Sequence, residues 1–173
     1  MDFFDVVRMR RSVRQFRSEP VSRAVLEKIV AAGIEAPSGA NAQLRQYVIV
    51  DDPAVLAQLR QASKALESAP AAIVLVLALK ATPYGEFWIQ DASAAMQNML
   101  LAAVALGYAG CWVEGAIRSC EEQLRKALGV PEPLRVWSVM PVGSPAVAPP
   151  RPAKSSPAEV VHYNRFGNRK AGP

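Results

Sequence analysis

The unbroken apolar run from Ala71 to Leu79 most constrains how this chain can fold. It is well short of the roughly 20 residues needed to cross a bilayer. Rich in Val, Leu and Ile, it reads as a buried strand over Ala72–Leu79, which needs covering layers. The rest of the sequence supplies them. A second apolar run, Met99–Leu106, falls in a helix expected over Glu86–Leu106 and closed by Gly107 at its C′ position. Tyr47–Val50 and Leu134–Val142 read as further strands, and Gly110–Val113 as a short one. Helices are expected at Asp2–Met9, with Phe3, Phe4, Val6 and Val7 as an apolar face, and from an N-cap at Ser22 to about Glu35. Two more are expected at Ala54–Leu66 and from a Ser119–Glu122 capping box to Gly129. Prolines at 145, 149, 150, 152 and 157 make residues 144–173 an extended tail. Strands and helices do not alternate strictly, which favours an α+β fold over a doubly wound sheet. No repeat or linker divides the 173 residues, so one domain is expected.

The formal charge of +5 is unevenly placed. Arg8, Arg10, Arg11, Arg14 and Arg17 crowd one segment, and Arg165, Arg169 and Lys170 lie in the tail. Such patches attract nucleic acid, acidic lipid or phosphorylated cofactors, and charge alone does not choose among them. The acidic start, Met1-Asp2-Phe3-Phe4-Asp5, is unlike a secretory signal. Two cysteines suit a reduced cytoplasmic protein, and with His162 as the only histidine they are too few for a zinc cage.

A P-loop, a G-x-G-x-x-G turn and a G-x-S-x-G elbow are all missing. Four segments can carry chemistry. In Arg10-Arg11-Ser12-Val13-Arg14, three guanidiniums and a hydroxyl can converge on phosphate oxygens, although on charge alone a solvated basic stretch is the simpler account. Ala36-Pro37-Ser38-Gly39-Ala40-Asn41 is a loop of small residues that lets backbone approach a flat ligand, or an ordinary turn. In Gly110-Cys111-Trp112-Val113-Glu114-Gly115, Gly115 can free a backbone amide for a ligand, and Cys111 reads as packing. In the segment Asp91–Ala103, Gln97 and Asn98 interrupt an apolar face and need partners.

Order and spacing say more than any one of these. R-R-S-x-R-x-F, A-P-S-G-x-N-x-Q, D-x-x-x-A-x-Q-N-x-L-L-A-A, L-G-x-x-G-C-W, V-x-x-V-G-x-P and a tail carrying E-V-V-H-Y-N follow one another along essentially the whole chain. The series resembles the nitroreductase family. That resemblance implies an α+β fold with a central, mostly antiparallel sheet flanked by helices. It implies an interlocked homodimer whose tails, residues 144–173 here, embrace the partner subunit, with FMN at the interface.

By position, the resemblance puts Arg10 and Ser12 on the FMN phosphate and ribityl chain, with Arg11 assisting. It puts Arg14 near the flavin pyrimidine edge, where a cation stabilises the reduced ring. Pro37, Ser38, Gly39 and Asn41 would reach the flavin from the partner subunit, and Glu114 and Gly115 would offer backbone amide to N5. Lys154 falls where the family usually carries a phosphate-binding arginine, with Arg151 the second candidate. NADH or NADPH would donate hydride, and a nitroaromatic, quinone or flavin would take it, by a ping-pong route without a side-chain acid or base. A flavoprotein that does not turn over, or a basic nucleic-acid-binding module, are the alternatives. The chain departs from the family at Leu44-Arg45, where Pro-Trp is usual, and its short stretch from Ser63 to Trp88 implies an open pocket.

Overall fold

The computed structural model describes residues 1–79 and 87–169. Glu86, the expected start of the long helix, and Lys170 lie outside the described residues. Strands β1 (Arg45–Val50), β2 (Ala71–Ala78), β3 (Ala109–Gly110) and β4 (Leu134–Gly143) form one antiparallel sheet in the order β1-β2-β4-β3. The long apolar run is thus an inner strand, paired on both sides.

Its alternation divides two helical layers. Ala72, Val74 and Val76 pack with Leu56 and Leu59 of α3 (Pro53–Arg60), Ile117 of α5 (Gly115–Arg118) and Leu124 of α6 (Glu121–Leu128). Ala71 and Ile73 face Leu26 and Ile29 of α2 (Arg23–Ile34) and Met96 and Met99 of α4 (Trp88–Ala105). Leu75 and Leu77 pack with Ala92 and Trp137. Both faces of β2 are therefore covered, which is why its sequence shows no polar alternation. α2 and α4 approach closely at Gly33, where a Cβ would stand 2.8 Å from Met99 Cγ. Asn98 finds its partner there, donating to the Ala32 carbonyl at 3.1 Å.

Local signals set several helix ends. Asp52 accepts from the N–H groups of Ala54 and Val55 at the start of α3. Gly107 and Gly129 carry the positive φ that stops α4 and α6. Three expectations need correction. The helix expected through Leu66 stops at Arg60, because Ser63 caps a separate 3-10 turn, Lys64–Leu66. The Ser119–Glu122 box does not form: Ser119 Oγ donates to the Ala116 carbonyl, and Cys120 precedes the first turn of α6. A genuine capping box joins Ser156 and Glu159, opening a single helical turn, α7 (Pro157–Val160), in the tail expected to be wholly extended. In α1 (Phe3–Met9) only Val6 is buried, and Phe3, Phe4 and Val7 stay exposed. Among the described residues no helix is long and apolar enough to cross a membrane.

Candidate functional site

After α1 the backbone turns extended at Arg10 and is bonded into the sheet margin. Ser12 bridges Gly110 in parallel, and Val13 donates its N–H to the Gly110 carbonyl at 3.0 Å. Farther on, the Arg17 N–H reaches the Ser144 carbonyl, and Ala146 donates to Gln15. Val13 and Phe16 are buried with Ala69 and Ala109 and anchor the segment. Adjacent residues of an extended chain point to opposite sides, so inward Val13 sends Ser12 and Arg14 the other way.

The strip also brings the two chain ends together. A groove of about 680 Å³ is lined by Phe4, Val7 and Arg8 of α1, by Arg10, Arg11, Ser12 and Arg14, and by Pro149, Pro150, Arg151, Pro152 and Lys154 of the tail. Arg8 is paired with Asp5. Among the described residues no carboxylate pairs with Arg10, Arg11, Arg14, Arg151 or Lys154. The Arg11 guanidinium donates to the carbonyls of Arg8 and Arg10 at 2.7 and 2.8 Å, and Arg14 to that of Ser12 at 3.3 Å. Guanidinium forks, an ammonium and a hydroxyl beside an apolar wall suit a phosphate group attached to a partly apolar body. Six residues expected at the cofactor thus share one groove, and both candidates for the tail contact, Arg151 and Lys154, line it. The sequence reading missed the wall made by Phe4, Val7 and the prolines, whose only signal was an apolar helix face with nothing assigned to cover it.

Pro37, Ser38, Gly39 and Asn41 do not line that groove. Their loop contains a 3-10 turn, Gly39–Asn41, and places Ala40, Asn41 and Gln43 at φ of 48°, 55° and 50°. Non-glycine residues rarely adopt that left-handed region. Ser38 Oγ accepts from the Gln43 N–H, and the Gly39 N–H donates to the Asp91 carboxylate at 3.0 Å. Arg45 donates to the carbonyls of Ala36, Pro37 and Asp91 at 2.6, 3.2 and 3.0 Å. The departure at position 45 therefore has a structural role that its neighbours in sequence do not reveal.

Glu114 and Gly115 open α5, where the Glu114 carboxylate pairs with Arg118 at 2.6 Å. They too are apart from the arginine groove. The expected strand Gly110–Val113 shrinks to Ala109–Gly110, with Val113 bridging Val139 separately. Trp112 packs edge-on against Trp137, ring centres 5.5 Å apart. Burial pushes the Cys111 thiol up, opposed by the charge of Arg14, so it stays a protonated packing group.

Known proteins carry the same architecture. A protein from Archaeoglobus fulgidus named NADH dehydrogenase/NAD(P)H nitroreductase is 37% identical over 143 residues, 79% of this chain and 81% of its own. A crystal structure bearing that name, from Bacteroides thetaiotaomicron, superposes with a TM-score of 0.83 at 30% identity, covering 95% of this chain and 98% of that one. An FMN-dependent nitroreductase from Clostridium difficile gives 0.82 at 27%, covering 94% and 99%. The sequence profile of the Nitroreductase family matches residues 7–77 and 62–144, a span holding the arginine strip, the small-residue loop and the whole sheet. The enzyme belongs to the nitroreductase family of NAD(P)H-dependent oxidoreductases.

Proposed function

We propose that the protein is an FMN-dependent oxidoreductase that moves hydride from NADH or NADPH to a nitroaromatic, quinone or flavin acceptor, in ping-pong order, as a cytoplasmic homodimer. The carrying observation is the convergence of Arg10, Arg11, Ser12, Arg14, Arg151 and Lys154 on one groove without carboxylate partners among the described residues. When bound, FMN supplies the two-electron chemistry that the chain's own side chains lack.

The chain binds, orients and tunes. Arg10, Ser12 and Arg11 hold the phosphate and ribityl end, with Lys154 or Arg151 closing from the tail. Arg14 keeps a cation at the pyrimidine edge, where negative charge develops on reduction. Glu114 and Gly115 direct backbone amide toward the reacting side of the ring. No side chain is assigned a proton-transfer step. The surplus positive charge draws in the anionic nicotinamide donor.

The loop Pro37–Asn41 stands apart from the groove, and a second copy would supply it. The exposed Phe3, Phe4, Val7 and Met9 of α1 support such an interface, as does the exposed tail with Val160, Val161 and Phe166. The deciding experiment is an absorbance spectrum of purified protein before and after anaerobic NADH or NADPH. Flavin bands near 370 and 450 nm (about) that bleach establish the activity. A protein still colourless after incubation with FMN overturns it.

A further inference from the structure

We propose that Arg45 and Asp91 are positioning residues that hold the Ala36–Gln43 loop in its ligand-ready shape; this rests on the flavin reading above. Each half of the pair works on backbone. The two terminal nitrogens of Arg45 meet three carbonyls, of Ala36, Pro37 and Asp91. The Asp91 carboxylate, 7% exposed in the first turn of α4, takes the Gly39 N–H. α4 is a core helix, with Ala92, Ala95, Met96 and Met99 buried on it. The loop is therefore tied at its entrance to the Arg45 side chain and at its turn to the Asp91 carboxylate, and Arg45 is itself bonded to the first turn of α4.

The loop needs tying. Ala40, Asn41 and Gln43 all lie at positive φ without being glycine, a conformation an L side chain leaves when nothing holds it. Released, the loop would relax and carry Ser38 and Asn41 with it. Ordering it at the moment of binding would then weaken affinity, which a loop fixed in advance avoids. Arg45 is consequently not a free cation for an anionic ligand, despite lying beside a candidate binding loop. A lysine presents its donors from one atom and cannot span carbonyls that Arg45 meets from two. Asn at 91 keeps an acceptor for the Gly39 N–H, whereas Ala does not.

The test compares Arg45→Met, Arg45→Lys, Asp91→Ala and Asp91→Asn by two readouts. Amide hydrogen exchange across residues 36–43 is followed in flavin-free protein, and FMN affinity by fluorescence titration, with melting temperature recorded alongside. Arg45→Met and Asp91→Ala should raise exchange in that segment and weaken FMN binding by about tenfold or more. Asp91→Asn should stay within about threefold of the parent, and Arg45→Lys should fall between. A merely structural role would lower the melting temperature and leave the affinity of folded protein unchanged; that result overturns the proposal, as does unchanged exchange. If Arg45→Met does not fold, Arg45→Lys and the contrast between the two Asp91 variants carry the test. A parent protein that fails to bind FMN overturns the flavin reading, and this proposal with it, before any substitution is made. Failure of the clamp alone shows instead as a parent that binds and variants that bind equally well.

Discussion

Val13 donates its backbone N–H to the carbonyl of Gly110 at 3.0 Å, fixing the arginine strip to the short strand β3. The approach of β3 to β4 at that position needs a residue without a side chain. A Cβ on Gly110 would lie 2.7 Å from the Pro141 carbonyl oxygen and 2.8 Å from Met140 Cε. The glycine lets β3 lie tightly on β4, and the strip then lies on β3.

Gly110→Ala should accordingly destabilise the fold by about 1–3 kcal/mol, the usual range for overpacking. Thermal denaturation reads it, and FMN affinity should fall as the strip shifts. An unchanged melting temperature would mean that the close approach relaxes freely.

Arg10→Ala should lower FMN affinity by about tenfold or more, since hydrogen bonds to charged groups contribute roughly 1.5–3 kcal/mol. Ser12→Ala, which removes a neutral donor, should cost less. Equilibrium dialysis against FMN measures both. Full flavin occupancy in each variant places the phosphate elsewhere. Arg151→Ala and Lys154→Ala, run together, show which tail cation matters more.

Arg14→Ala should slow reduction of the flavin more than it weakens binding, because its assigned work grows as negative charge develops. Stopped-flow bleaching under anaerobic NADPH separates the two effects. Equal reduction rates with and without the guanidinium reject the electronic role.

Phe4→Glu combined with Val7→Glu should yield a monomer that loses its flavin, because both side chains are exposed on α1 and line the groove. Sizing at low concentration decides. A monomer that retains the cofactor contradicts a site completed by a second subunit.

A pH effect should appear away from the groove. Arg135 pairs with Glu121 at the start of α6, and its hydrogen bond and charge hold that carboxyl below the usual glutamate range. A depressed carboxyl contributes stability above its unfolded value, and the contribution disappears as pH falls through the folded value. The difference in melting temperature between the parent and Glu121→Gln should be largest near neutrality. It should shrink below about pH 4.3, the ordinary glutamate value. A gap that stays constant into acid would remove the ion pair as its cause.

Much of the fold was legible because local chemistry specifies it. The aliphatic run of β2 and the positive-φ glycines at 107 and 129 act within a few residues, and α2 starts directly after Ser22 although that hydroxyl makes no capping bond. The capping box failed for a reason of register: α6 starts at Glu121, so Glu122 is the second residue of the helix rather than the third after a capping Ser119. Ser156 and Glu159 have the same chemistry in the right register. The arginines were legible as anion-binding chemistry, yet their gathering was not. It depends on Ser12 meeting Gly110 and on Gln15 and Arg17 meeting residues 144–146, contacts no periodicity records. Arg45 was visible only as a departure, because its partners are carbonyls, which every residue has.

The groove's two walls come from opposite ends of the chain. Synthesis runs from the amino end, so a nascent chain presents its arginines long before the prolines and Lys154 that face them have been made. The nascent protein can hold a folded sheet while the binding groove is still half built. If the groove holds the flavin as proposed, a chain interrupted before Pro149 would keep the strands of its sheet and yet lack the groove's tail wall.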